Sequence, residues 1–158
     1  MSVAAFVDDM ARRWGPAADR RWRVRLDVDG CVPADPERLG VALDALVENA
    51  VHATVPTDEI VLSTWARDGA VVLEVADSGS GIEPEHLPIL FERFSRPNGD
   101  RGRGKGRTGL GLAIVRAVAE AHGGTVEAES VPGKGSHFRI LLPRFEPRTA
   151  DRDPAPDA

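Results

Sequence analysis

Tyrosine is absent and cysteine occurs once, at Cys31. A single thiol excludes an internal disulfide framework and a cysteine-rich zinc site, and it fits a reducing compartment. No apolar run approaches the ~18 to 20 residues that a membrane span needs. The first residues, MSVAAFVDDMARRW, put acids and arginines where a secretory signal would carry its apolar stretch. The formal net charge of −5 speaks against a general nucleic-acid binder. With three Trp and five Phe, the core falls to Val, Leu, Ile and Ala. The 158 residues amount to one domain, and 42% hydrophobic with 28% charged residues excludes wholesale disorder. The expectation is a soluble, cytoplasmic, single domain of α/β type.

Periodicity supplies the elements. Val3, Phe6, Val7, Met10 and Trp14 fall at helical spacing. Trp22, Val24, Leu26 and Val28 alternate with Arg23, Arg25 and Asp27, a strand expected to have one wet face. Asp35 and Pro36 read as the N-cap and first position of a helix with a buried stripe of Leu39, Leu43, Leu46, Val47 and Ala50. Residues 60–66 and 70–76 are strands joined across Asp68-Gly69. A short helix is expected over 84–90.

Residues 95–108 lack aliphatic side chains and read as a mobile loop. Beyond it, Leu110, Ile114, Ala117, Val118 and Ala121 predict a helical stripe that stops at Gly123-Gly124. Residues 125–130 and 137–142 are the closing strands. After Pro143 the tail is rich in proline and charge and is expected to be disordered. Paired strands between helices imply α+β: helices layered on one face of a mixed sheet.

Four segments could carry chemistry. Asp77-Ser78-Gly79-Ser80-Gly81-Ile82 follows a strand, and glycines there let a backbone approach a ligand closely. A carboxylate at that strand end can accept a hydrogen bond from an exocyclic amine such as adenine's; guanine, with a carbonyl there, would cost roughly 1 to 3 kcal/mol. Taken alone, the segment reads first as a surface turn, since Asp-Ser-Gly is common in turns. In residues 106–112, GRTGLGL, a loop enters a helix, whose free amides and dipole suit an anion. Gly104 to Gly109 formally match G-x-G-x-x-G but follow a polar loop, without the strand that a dinucleotide fingerprint requires. Asn49, with Ala45 and Ala53 one turn to either side, offers a carboxamide oxygen of the kind Mg²⁺ takes; as an isolated residue it reads first as a solvated or capping asparagine. Phe91 to Arg96, FERFSR, could anchor the loop and aim arginines at phosphates, or simply pack a helix end. The loop itself holds Arg96, Arg101, Arg103, Lys105 and Arg107 against Asp100, which suits a lid over a polyphosphate.

In this order the four segments resemble the N, G1, F and G2 boxes of the catalytic ATP-binding domain of sensor histidine kinases, the Bergerat-fold (GHKL) ATP binders. The ending HGGTVEAESVPGKGSHFRILLP looks like that family's closing strands, so the resemblance covers about residues 3–143. It implies a two-layer sandwich with a mixed sheet of about five strands, three main helices on one face and a flexible ATP lid at about 95–108. The catalytic domain would then be 1–143, with 144–158 as the tail. By the same match Asp77 holds adenine, Gly79, Gly81 and Ile82 shape the base pocket with Phe91 at its margin, and Asn49 ligates Mg²⁺. Arg107, Thr108, Gly109, Leu110, Gly111 and Leu112 serve the phosphates, with Arg93 and His52 near the terminal one. The implied reaction is transfer of ATP's γ-phosphoryl to a histidine, driven by positioning and charge neutralisation.

The chain departs from the family pattern at two places. Ala45 stands where the N box often has a first Asn and where related ATPases carry a glutamate base, so water activation is unsupported and a kinase is favoured over an ATPase. None of His52, His86, His122 and His137 lies in a phosphoacceptor setting, and no dimerising hairpin precedes residue 3. The resemblance therefore implies an excised catalytic domain or one half of a split kinase. Its partners would be a separate dimerisation and phosphoacceptor domain and, indirectly, a response regulator. It would be monomeric in isolation, bind no nucleic acid and meet a membrane only through an upstream sensor region. Two alternatives are a serine kinase of the anti-sigma-factor type, whose N box NAVHAT also resembles, and a module that binds ATP without catalysis.

Overall fold

A computed structural model describes residues 1–92 and 111–149; the expected lid at 95–108 lies outside the described residues. The chain runs α1 (Val3–Trp14), β1 (Arg21–Leu26), β2 (Gly30–Cys31), α2 (Pro36–Ala53), β3 (Glu59–Arg67), β4 (Ala70–Asp77), a 3₁₀ turn (Leu87–Ile89), α3 (Gly111–Ala121), β5 (Thr125–Val131), β6 (Gly135–Leu142) and β7 (Glu146–Pro147). Five strands form one sheet in the order β1-β3-β4-β6-β5. The β1–β3 pair is parallel and the other neighbours are antiparallel. The sheet is mixed and the architecture is α+β, as the sequence implies.

Local chemistry sets the boundaries. The Asp35 side chain accepts from the amides of Glu37 and Arg38, and Pro36 opens α2, which is buried at Leu39, Leu43, Leu46, Val47 and Ala50. Asp68 and Gly69 both take positive φ, 51° and 78°, which lets β3 turn directly into β4 with the strand twist preserved. At the end of α3 the amides of Gly123 and Gly124 return to the carbonyls of Glu120 and Ala119, with Gly123 at φ 72°. That double bond stops the helix.

One sheet face carries the core. Ile60 and Leu62, Val71, Leu73 and Val75, and Phe138, Ile140 and Leu142 are all buried against the helices. The other face mixes apolar and charged side chains: Val72, 0% exposed, lies in register with Trp65 and Leu141. Glu74, only 9% exposed, accepts from Arg139 Nε at 2.7 Å and from Ser63 at 3.2 Å, while the Arg139 guanidinium sits 5.8 Å from the Trp65 ring centre.

Four expectations need correction. The apolar alternation in β1 is only partly covered: Trp22 packs against the core, whereas Val24 and Leu26 on the same face of this edge strand are 39% and 36% exposed. The buried side of α3 is Val115 and Ala119, with Leu112 and Val118 partly covered, whereas Ile114, Ala117 and Ala121 face out. The helix over 84–90 is only a 3₁₀ turn. The tail does not leave the fold at Pro143: Phe145 is 8% exposed, Glu146–Pro147 pairs antiparallel with Gly30–Cys31, and the Arg148 amide donates to Asp29 at 2.8 Å.

Candidate functional site

β4 ends on Asp77, which lies in register with Ile60 and Ser136 on the face turned to the helices. It is 7% exposed. One carboxylate oxygen accepts from the Gly79 amide at 2.9 Å, and the Ser136 backbone donates as well. Burial nevertheless pushes its pKa up, with Asp58 adding repulsion; those two hydrogen bonds and the nearby His137 pull the other way. Two donors leave the carboxylate acceptor capacity to spare. A desolvated acid in that state discriminates strongly for a donor.

The turn after Asp77 is clamped from three sides. The Ser80 amide donates to the Ala53 carbonyl at the end of α2 (3.1 Å), and the Ser78 amide to the Glu59 carbonyl (3.1 Å). The Ile82 amide donates to Ser130 Oγ at 2.8 Å, and Ser130 in turn bonds the Gly135 carbonyl (2.8 Å) and Ser136 Oγ (2.9 Å). Gly79 and Gly81 are required by protein contacts: a Cβ would come within 2.1 Å of the Ala53 carbonyl at the first and 2.2 Å of the Val131 carbonyl at the second. Gly81 also takes φ 72°. These glycines therefore pack the turn onto α2 and β5.

α2 joins the two ends of the site. Ala45, Asn49 and Ala53 follow one another at four-residue spacing on one face. Ala53 touches the Asp77 turn, and Ala45 lies 3.8 Å from where a Cβ on Gly111 would project. The first turn of α3 and the Asp77 turn thus abut the same helix face, about 12 Å apart by helix rise. Asn49, half-buried, lies between them. His52 is exposed on the last turn of α2, its Nδ1 2.7 Å from the Glu48 carbonyl oxygen.

Gly111 opens α3 exposed, and Leu112 packs against the core. Ile82 is partly buried against that core as well. Phe91 meets Phe138 edge-on, with ring centres 6.3 Å apart, and borders a cavity of about 290 Å³ together with Arg116, Glu120 and Val126. Neither Asp77 nor Asn49 lines that cavity. Arg93, Arg107, Thr108, Gly109 and Leu110 lie outside the described residues.

Sequence reasoning missed Arg20. Its Nε donates to Thr54 Oγ1 at 2.8 Å, and its Nη2 to the carbonyls of Val51 and Thr54 at 3.1 Å each, so it caps the end of α2 that carries Ala53. It also missed Ser130, Ser136 and Gly135, which hold the turn from β5 and β6. The signal available for Gly135 and Ser136 was the segment Gly133-Lys134-Gly135-Ser136; Ser130 had none.

Fold and site together define an α+β sandwich in which an acid-bearing strand end and a second helix start share one helix face. The chain belongs to the family described as histidine kinase-, DNA gyrase B- and HSP90-like ATPases, whose model matches residues 34–146. It is 41% identical over 148 residues to the sensor protein SrrB of Staphylococcus aureus, a match that takes in 91% of this chain and 25% of SrrB. The chain thus spans about a quarter of the length of the curated relatives it matches. Among solved structures it is similar to a mycobacterial sensor histidine kinase, MprB, at TM-score 0.81 and 27% identity, covering 93% of this chain and 98% of that one. It is also similar to full-length ShkA in complex with AMPPNP, at TM-score 0.78 and 28% identity, covering 92% of this chain and 30% of that one. The chain is homologous to the ATP-binding domains of sensor histidine kinases.

Proposed function

We propose that this chain binds ATP with Mg²⁺ along α2 and donates the γ-phosphoryl group to a histidine on a separate dimerisation domain, as the catalytic part of a two-component sensor kinase. The observation that carries the reading is the shared α2 face: a desolvated Asp77 carboxylate at one end and the start of α3 at the other. That span suits a nucleotide lying along the helix, with its base at Asp77 and its phosphates at the helix start. The Asp77 carboxylate takes the exocyclic amine, and the turn 78–82, tied to α2, β3 and β5, fixes its angle.

Asn49 fits a Mg²⁺ site, since its carboxamide supplies one hard oxygen between base and phosphate ends and phosphate oxygens and waters would complete the shell. When bound, the ion would neutralise charge on the transferring phosphoryl. Gly111 and Leu112 bring α3 amides to the phosphate end. Arg93, Arg107, Thr108, Gly109, Leu110 and His52 are assigned to the phosphates by family resemblance. Ala45 leaves no carboxylate to activate water beside the phosphates, which favours transfer over hydrolysis. Ile114, 41% exposed on α3, supplies apolar surface at that end for the acceptor domain to cover. Among the described residues no helix is long and apolar enough to cross a membrane, and the proposed setting is the cytoplasmic side of a two-component system.

The test is incubation of the chain with γ-labelled ATP, Mg²⁺ and a histidine-bearing dimerisation domain. Phosphate that is acid-labile and base-stable on the acceptor supports the assignment. Acid-stable phosphate would indicate a serine kinase, and ATP binding with no transfer to any acceptor a non-catalytic module.

A further inference from the structure

Of the two edge strands of the sheet, β1 and β5, the first alternates arginines with apolar residues. β1 pairs only with β3, and the amides of Arg21 and Asp27 donate to Asp58 and Thr64 at 3.0 Å each. Strand alternation between those anchors turns the amides and carbonyls of Trp22, Val24 and Leu26 outward. The side chains divide just as cleanly. Arg21, Arg23 and Arg25 stand on the sheet face away from the helices, and all three are exposed. Arg23 pairs with Glu59 at 2.7 Å; Arg21 and Arg25 have no ion-pair partner among the described residues. On the opposite face Val24 and Leu26 remain 39% and 36% exposed. A chain of net charge −5 thus places a row of cations and uncovered aliphatic side chains together on one of the two edge strands of this sheet.

We infer that β1 is a docking edge for an extended acidic segment of a partner protein, which adds as a sixth strand. Alternate side chains on any strand recur at about 6.6 Å, so acids at every second position meet the arginine row in register. The intervening apolar residues then cover Val24 and Leu26, and the main chain satisfies the outward groups of residues 22, 24 and 26. A second copy of this chain is disfavoured, since edge-to-edge pairing would set two arginine rows against each other. A polyphosphate or nucleic acid would meet the arginines but leave the ladder and the aliphatic side chains unused.

The experiment is fluorescence anisotropy of the whole chain with a labelled short peptide alternating Glu and Val, at physiological salt. Three comparisons accompany it: Val24→Pro, the double substitution Arg21→Glu/Arg25→Glu, and a peptide N-methylated on the amides facing β1. The Val24 amide points away from β3, so proline removes no bond of the native sheet; the N-methylated peptide gives the same information if that variant fails to fold. The expected result is saturable binding that falls about tenfold or more in each comparison. Absence of binding to the unmodified chain overturns the inference. So does binding that is lost on charge reversal yet indifferent to Val24→Pro and N-methylation, which would mean charge attraction without strand addition. Tighter binding of a short oligothymidylate than of the peptide overturns it in favour of nucleic acid.

Discussion

Arg20 and Thr54 meet at 2.8 Å, Nε to Oγ1, and the same guanidinium donates to the Val51 and Thr54 carbonyls at 3.1 Å. A cation thus closes the C-terminus of α2, where unpaired carbonyls and the helix dipole both favour it. One residue earlier, the Ala53 carbonyl receives the Ser80 amide at 3.1 Å. Arg20 therefore acts on the turn after Asp77 without touching it.

Arg20→Ala should cost about 1.5 to 3 kcal/mol of unfolding free energy, read as a lower urea midpoint at unchanged slope. Nucleotide affinity should fall with it, because Ala53 loses its fixed position against Gly79. A titration that matches the unsubstituted chain in affinity would show that the α2 terminus holds the turn without Arg20.

Asp77→Asn separates recognition from stability. Burial holds the folded-state pKa of Asp77 above its ordinary value of 3.8. The folded state then binds the proton more tightly than the unfolded chain, so this stabilising contribution is complete below 3.8 and is lost as pH rises through the folded value. Asparagine removes that loss. The variant should be at least as stable as the parent at neutral pH, with a flatter pH profile above 3.8, while ATP binds about tenfold or more weakly. Parallel losses of stability and of ATP binding would contradict this division.

The tail is where sequence and structure part most clearly. Pro- and charge-rich residues after Pro143 suggest disorder, yet Phe145 is buried and its amide donates to the Gly69 carbonyl at 3.1 Å. Gly30 makes room for it: a Cβ there would lie 2.2 Å from the Glu146 carbonyl. Ending the chain after Pro143 should therefore destabilise it by about 3 kcal/mol, the scale of a buried aromatic removed. A thermal midpoint unchanged by this truncation would return Phe145 to the tail.

The elements that could be read share a property: their signals are local. α2 declares itself through Asp35, Pro36 and an unbroken stripe, and the β3–β4 turn through Asp68-Gly69. α3 defeats the same method because it is apolar nearly all round, so Ile114 and Val115 fit two competing stripes and only packing on α2 and β5 chooses Val115. β1 alternates correctly, but alternation does not report that an edge strand lacks cover. The site divides likewise. Asp77 and its glycines fall within five residues of sequence, whereas Ser130 and Ser136 reach the turn across 47 or more intervening residues, and Arg20 acts on it through Thr54 across 33, so they leave no spacing to read.

Thr64 offers a test of the core itself. It lies in β3 opposite Leu73, on the face turned to the helices, at 0% exposure. Its Oγ1 has no hydrogen-bond partner among the described residues, so the hydroxyl is desolvated without return. Valine has the same shape and no hydroxyl to desolvate, and its β-branch suits a strand. Thr64→Val should raise stability by about 1 kcal/mol, a rise of about 2 to 4 °C in thermal midpoint for a chain of this length. ATP affinity should not change, because Thr64 pairs with Leu73, four residues along β3 from the Asp77 pairing at Ile60. A lower midpoint would mean that the hydroxyl is bonded in solution, and the β3 core would then be polar at its centre by design of its packing.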